Sequence, residues 1–193
     1  MILIILTIAV VLVLWGVSIY NFFVSSKARI KAAIQEIGNQ LKRQADLIPN
    51  LENSVKGYLK HEKGIFDQLT EARKAIVSAA KSGDVQKMAD AGSMLNSVLP
   101  AIKVAVEDNP EIKGSEVVKN LMEELRDTAD KLMYARRLVI DLTADYNVKR
   151  VSVPSSVIAS LFNFAELPGL ITPESGEHLE VLASEMKSPK IGL

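Results

Sequence analysis

The chain opens with an uncharged apolar run, and the rest alternates between apolar and polar positions. Ile2 to Tyr20 reads ILIILTIAVVLVLWGVSIY and contains no charged residue. At about 1.5 Å per residue, a helix of this length crosses a bilayer. Aromatic side chains, which favour the headgroup region, lie toward the end of the run at Trp15, Tyr20, Phe22 and Phe23. The pattern predicts a transmembrane anchor over residues 1–24.

A cleaved signal peptide is the alternative to an anchor. Such a peptide has a basic start, a shorter apolar core and a small-residue cleavage site. Only Met1 precedes the run and no such site follows it, so we expect the anchor to be retained. Positively charged flanks stay in the cytoplasm, and here they lie downstream, at Lys27, Arg29, Lys31, Lys42 and Arg43. We therefore expect a single-pass cell-membrane protein with its N-terminus outside and its body in the cytoplasm.

Beyond the anchor, apolar residues recur at every third or fourth position, which is the spacing of an amphipathic helix. The first stripe runs from Ile30 to Tyr58 and keeps its phase across Pro49. Proline has no N–H to donate and crowds the carbonyl four residues earlier, that of Ala45. We expect one long, kinked helix from the membrane to about Leu59. Two helices meeting at Pro49 are the alternative.

Three further stripes follow, over Ile65–Ala79, Val85–Ala105 and Val118–Tyr146. Polar segments separate them, at 60–64, 82–84 and 108–115. Asp84 and Ser115 are suitable N-caps for the helices that they precede. The sequence thus predicts an all-α fold in which a transmembrane helix is followed by an up-down-up-down four-helix bundle over residues 25–150. A tail over residues 151–193 completes the chain, with a short apolar helix near 155–164.

The composition removes several classes of chemistry. The chain has no cysteine and two histidines, and its 23 basic residues equal its 23 acidic ones. A balanced charge gives no basic surface for nucleic acid. His61 and Glu62 suggest a zinc motif, but HExxH needs a second histidine at the position of Ile65. Inward Glu-x-x-His pairs, which di-iron bundles require, are missing too. We expect no metal, cofactor, small-molecule substrate or catalytic residue.

Polar residues within the predicted bundle are the first candidate site. One interpretation is a partly buried network that fixes helix register, and a ligand or interaction site is the alternative. The simplest interpretation is a solvated face with ion pairs four residues apart, such as Arg137 with Asp141. From helix rise, we expect Arg73 and Asp141 at similar heights above the membrane. The candidates are Asp46, Asn50, Arg73, Arg136, Arg137 and Asp141.

The apolar segment after the last long helix is the second candidate site. An up-down bundle returns the chain to the bilayer surface near Asn147. Pro154 then starts a new direction, and Ser155 or Ser156 is able to cap a short helix. Its apolar residues, expected on one face together with Val157, either plug the base of the bundle or rest in the membrane interface beside the anchor. The interface candidates are Ile158, Leu161, Phe162 and Phe164.

Several motifs occur here in a specific combination. They are QLKRQADLIPNL (40–51), VKGYLKHEKGIFDQLTEARKA (55–75), DNPEIKGSE (108–116), ELRDTADKLMYARR (124–137), DYN (145–147) and PSSVIASLFNF (154–164). Together they resemble the LemA family of bacterial and archaeal membrane proteins. The resemblance covers nearly the whole chain to Phe164, including the anchor, and the tail after Ala165 matches nothing in it. It implies an N-terminal anchor, a helical bundle and no established catalytic activity, and some relatives are associated with membrane organisation.

These observations together favour a non-enzymatic scaffold that binds other proteins or organises membrane. Its expected partners are the membrane and an unidentified protein, which includes a second copy of the chain. A signal-responsive envelope sensor is the alternative, and a metal- or ligand-binding envelope protein is a weaker one.

Overall fold

The computed structural model describes residues 1–56 and 63–171, and these residues form six helices and no strand. The helices are α1 Ile2–Val55, α2 Lys63–Ser82, α3 Val85–Asp108, α4 Pro110–Lys113, α5 Glu116–Val151 and α6 Ser155–Leu161. The predicted all-α fold is confirmed, with α1, α2, α3 and α5 as the four bundle helices. The turn containing His61 and Glu62 lies outside the described residues, as does His178.

The anchor and the first bundle helix are one element. α1 is 54 residues long and contains Pro49 in its interior, so the alternative of two helices meeting at this proline is wrong. The helix ends at Val55 rather than near Leu59. It has no break at the boundary that we placed between residues 24 and 25. Its N-terminal part is long and apolar enough to cross a membrane, and the side chains of residues 1–14 are exposed.

Side-chain caps set the boundaries of the later helices. The carboxylate of Asp84 accepts from the backbone N–H groups of Gln86 and Lys87, at 2.9 and 3.2 Å. The hydroxyl of Ser115 accepts from Val118 N–H at 3.4 Å. Both predicted N-caps are therefore confirmed. The polar segment between α3 and α5 also forms the short helix α4, which we did not predict and whose cap is Asn109.

The main core lies among α1, α2, α3 and α5 and consists of the predicted stripes. Its fully buried side chains come from each of these helices: Leu41 and Ile48, Leu69 and Ile76, Leu95 and Ile102, and Leu125. α3 comes close to α5 at Gly92, where an added β-carbon would overlap the side chain of Leu132. A glycine here lets the two helices approach closely around Leu132.

A second, membrane-proximal core lies where α1 and α5 continue beside α6. Its buried residues are Ile19, Phe23, Ile30, Tyr146 and Ala159. The rings of Phe23 and Tyr146 meet edge to face with centroids 5.3 Å apart. In this arrangement the positive edge of one ring meets the electron-rich face of the other. Thus α6, instead of α2 and α3, covers this end of the α1–α5 pair.

Leu132 should be a large contributor to the stability of the main core. We expect Leu132→Ala to lower the free energy of unfolding by about 2–5 kcal/mol, because it leaves a cavity beside Gly92. Its exposed neighbour is the control, and Met133→Ala should cost less than about 0.5 kcal/mol. Chemical denaturation of the full chain in micelles, followed by circular dichroism, measures both.

A second substitution checks the geometry of this contact. In the Leu132→Ala background, Gly92→Ala places a methyl group into the cavity and should recover part of the lost free energy. An equal cost for Leu132→Ala and Met133→Ala, or a further loss on adding Gly92→Ala, would contradict the packing described here.

Candidate functional site

The six polar candidates do not form one network among the described residues. Arg137 and Asp141 form the expected pair four residues apart, at 3.8 Å, and both side chains are exposed. Arg136 instead joins helices, because its Nη1 donates to the hydroxyl of Ser93 on α3 at 2.8 Å. Asp46 and Asn50 are exposed on α1. The α5 candidates therefore combine a solvated ion pair with one link between helices.

Arg73 and Asp141 lie at different heights, so the prediction of similar heights is wrong. Arg73 on α2 contacts Ala45 of α1. α1 and α5 are antiparallel, as the Phe23–Tyr146 and Arg43–Glu124 contacts define. This register places Asp141 level with about residue 27 of α1, which at 1.5 Å per residue is about 27 Å from the level of Ala45. The prediction failed because α2 pairs with the distal part of α1.

Arg73 compensates for the proline in α1. Pro49 has no N–H, so the carbonyl oxygen of Ala45 loses its usual helical partner. The Nε of Arg73 donates to this oxygen at 3.2 Å. A carbonyl inside a bundle is costly to leave without a partner. The arginine thus allows α1 to continue through Pro49 while it ties α2 to α1.

α6 packs against the end of the apolar run. Ile158 lies against α1 at Gly16, where an added β-carbon would be 3.5 Å from its Cδ1. Phe162 meets Tyr20 with ring centroids 4.8 Å apart, and Phe164 stacks on Phe23 at 4.7 Å. Ile158 and Phe164 belong to the membrane-proximal core. These contacts place α6 beside the last turns of the predicted anchor.

The apolar residues of this segment are divided between two surfaces instead of sharing one. While Ile158 and Phe164 pack inward, Leu161 is 69% exposed and Phe162 51% exposed, and Val157 is exposed as well. The expected cap is also wrong, because α6 begins after Pro154 without a side-chain cap. The hydroxyl of Ser155 donates instead to the carbonyl oxygens of Lys149 and Ser152. The segment therefore plugs the bundle and also presents an apolar surface.

Two lysines border this apolar end of the molecule. The Nζ of Lys27 lies 5.3 Å from the ring centroid of Phe164, and that of Lys149 lies 5.8 Å from the ring centroid of Phe22. Both distances suit cation–π attraction. From Val151 to Ala165 the chain then has no charged residue. In the register set by Phe23 and Tyr146, Lys149 is level with about residue 20 of α1, so the charged surface extends about 10 Å farther toward the apolar run on α5 than on α1.

Residues 164–171 have no regular secondary structure and form a strap fastened along α5. Asn147 holds its centre, because its amide donates to the carbonyl of Leu167 at 2.8 Å and accepts from the N–H of Leu167 at 3.1 Å. The hydroxyl of Tyr146 donates to the carbonyl of Ala165 at 3.0 Å. Burial raises the pKa of Tyr146, which keeps this donor protonated. At the far end, Ile171 N–H donates to the side chain of Gln86 on α3 at 2.9 Å.

Sequence reasoning missed this strap and two buried amides. Tyr146 and Asn147 belong to the DYN motif, which ends the apolar stripe of α5 with polar groups. Polar groups at the end of a buried stripe need hydrogen-bond partners, and this was the one sequence signal for the strap. Gln40 and Gln44 are buried in α1, and neither amide atom of Gln44 has a hydrogen-bond partner among the described residues. Their positions flank the apolar stripe, so the sequence offered no sign of their burial.

A family model matches the chain from residue 33 to residue 181. The match is to the LemA family and covers well over half of the sequence. The chain belongs to the LemA family. No curated protein matches it.

The extent of the match corrects one expectation about this LemA chain, because it continues past Ala165, where we expected the tail to depart from the family. The match begins at Ala33, so the resemblance that we extended to the anchor stays a prediction. The α5–strap contacts of this LemA protein thus lie wholly inside the matched region.

A double-mutant cycle tests the pairing of Arg73 with Pro49. We expect Arg73→Met, which keeps much of the aliphatic stem, to lower the free energy of unfolding by about 1–2 kcal/mol. In a Pro49→Ala background the residue at 49 supplies the N–H itself, so the same change should cost less than about 0.5 kcal/mol. Lys74→Met is the exposed control. Equal costs in both backgrounds would contradict the compensation.

Asn147 should be the main fastening of the strap. We expect Asn147→Leu, which loses both the donor and the acceptor at nearly the same size, to lower the free energy of unfolding by about 1–3 kcal/mol. The amide of Leu167 should also exchange faster with deuterium, because it loses its acceptor. Asp145→Leu, at an exposed neighbouring position, is the matched control and should change neither measurement. Unchanged protection of Leu167 in Asn147→Leu would show that other contacts hold the strap.

Proposed function

We propose that this LemA-family chain is a non-catalytic, single-pass scaffold that holds a helical bundle in a fixed pose at the membrane surface. The bundle lies in the cytoplasm, because Lys27 and Arg29 follow the apolar run directly. There it presents its surface to a protein partner, which includes a second copy of the chain.

The observation that carries this proposal is the packing of α6 against the end of the apolar run. If residues 2–21 cross the hydrocarbon at about 1.5 Å per residue, Gly16 and Tyr20 lie in its last turns. Ile158 of α6 contacts Gly16, and Phe162, directly after α6, contacts Tyr20. The exposed side chains of Leu161 and Phe162 then rest in the membrane interface, where burial of apolar surface is favourable. Two elements therefore attach the bundle to the bilayer and restrict its tilt.

The placement of the polar candidates supports a structural role over a catalytic one. Arg73 bonds a backbone carbonyl, Arg136 links α5 to α3, and Arg137 pairs with its own helix neighbour. Each bond joins or supports helices. A catalytic site would instead require such groups to converge on a shared cavity.

A signal-responsive sensor is the second candidate, and the continuity of α1 favours it. The same helix passes from the apolar run into both cores, through Ile19, Ile30 and Ile37, which are all buried. A shift or rotation of the anchor would therefore move core residues directly. In the scaffold proposal, the same continuous helix instead fixes the orientation of the bundle relative to the membrane.

Fluorescence depth measurement tests the proposed pose. The chain has no cysteine, so Leu161→Cys gives a single position for an environment-sensitive fluorophore in the full chain. In phospholipid vesicles we expect blue-shifted emission and strong quenching by lipids with a nitroxide on the acyl chain. Met133→Cys, at an exposed position on α5, is the matched control and should emit as in water.

The same Met133→Cys variant tests orientation. A membrane-impermeant maleimide should leave it unlabelled in intact cells and label it after permeabilisation. Water-like emission from the Leu161 label would refute the interfacial placement of α6. Labelling of the Met133 variant in intact cells would refute the cytoplasmic orientation.

A further inference from the structure

A cleft of about 470 Å³ opens between the end of α5, α6 and the start of the strap. Its polar side chains are Arg150, Ser160 and Asn163, and its apolar side is formed by Ala159, Phe164 and Ala165. The backbone of Asn163 has a positive φ of 53°. Phe164 N–H also bonds the carbonyl of Ala159 at 2.9 Å, which closes the C-terminal turn of α6. The cleft is therefore built around a defined turn.

The guanidinium of Arg150 has unused hydrogen-bonding capacity. Among the described residues its one hydrogen bond runs from Nη2 to the carboxylate of Glu166 at 2.7 Å. Its Nε is buried without a partner. A guanidinium presents five N–H donors in a planar fork that matches a phosphate or carboxylate. Glu166 is largely exposed, so an anion is able to replace its carboxylate at little cost.

The position of the cleft relative to the apolar run indicates which anions lie near it. In the register set by Phe23 and Tyr146, Arg150 is level with about Ile19 of α1, near the end of the apolar run. The exposed Leu161 lies on the neighbouring α6. If α6 rests in the membrane interface, as proposed above, acyl chains lie beside α6. Arg150 is then about two residues from the end of the hydrocarbon span, so its long side chain reaches the lipid phosphates.

We propose that this cleft binds a phosphate ester, either a phospholipid headgroup or a soluble phosphate compound, through Arg150, Ser160 and Asn163. Arg150 supplies the charge, and the hydroxyl and amide supply neutral donors. The Glu166 carboxylate is the internal competitor for Arg150, so its removal strengthens binding. The inference rests on the proposed interfacial placement of α6.

Native mass spectrometry of the full chain, released from micelles, provides the test. We expect retained phosphatidylglycerol, and much less diacylglycerol with the same acyl chains but no phosphate. Arg150→Gln should weaken phosphatidylglycerol binding by about tenfold, whereas Glu166→Gln should strengthen it. Lys149→Gln is the matched control, since it removes one positive charge from the adjacent residue, and it should leave binding nearly unchanged.

A second variant leaves the Arg150–Glu166 pair intact. Asn163→Gly suits the positive φ and removes the side-chain amide, so it should weaken binding while the helical spectrum stays the same. Loss of the bound lipid on adding glycerol phosphate would assign the site to soluble phosphate esters, and retention would assign it to lipid headgroups.

Equal retention of phosphatidylglycerol and diacylglycerol, or equal losses in Arg150→Gln and Lys149→Gln, would overturn the proposal. The depth of the Leu161 label is measured separately. A lipid-embedded label without phosphate-dependent retention would therefore refute this site and leave the proposed function in place. A water-exposed label would refute the proposed function itself.

Discussion

The antiparallel pairing of α1 with α5 is the constraint on which the rest of the structure depends. These two helices are 54 and 36 residues long, whereas α2 and α3 have 20 and 24. The hairpin of α2 and α3 is too short to cover the pair along its whole length. Beyond the reach of this hairpin, Phe23 and Tyr146 would be exposed to water. Exposure of aromatic surface is unfavourable. α6 and the strap cover them, so one length mismatch explains both cores.

The same mismatch positions the candidate site. Because α6 covers the end of the pair that continues into the apolar run, it lies beside the predicted membrane and not at the distal turn. On the inner side, Ile158 and, just after the helix, Phe164 complete a core. On the outer side, Leu161 and the following Phe162 keep more than half of their surface exposed. Structural support and the proposed membrane contact thus come from one short segment.

The proline in α1 illustrates how a local cost is offset by a tertiary contact. Pro49 deprives the Ala45 carbonyl of its partner, and Arg73 on α2 provides another. A charged donor is well suited to this, since its hydrogen bonds are stronger than those of neutral groups. The long side chain of arginine also reaches across from a neighbouring helix. The result keeps α1 continuous, which preserves a direct connection between the apolar run and the bundle.

Apolar periodicity by itself determined most of the fold. Burial requires one continuous apolar stripe per helix, so the stripes predicted the four helices, while Asp84 and Ser115 marked two helix starts. The charge-free run likewise predicted a helix able to cross a membrane, because that property depends only on length and composition. Arg137 and Asp141 were also correctly paired, since their spacing alone brings them together.

Contacts between distant segments were decided by the tertiary structure alone. The partner of Arg73, the division of α6 between two surfaces and the strap on Asn147 all depend on helix lengths and register. The spacing of residues along the sequence does not reveal the register between two different helices, nor where each helix ends. Gln44 is buried for the same reason, because its surroundings come from neighbouring helices whose positions the α1 stripe does not reveal. The fold therefore followed from local patterns, and the site from how those patterns pack together.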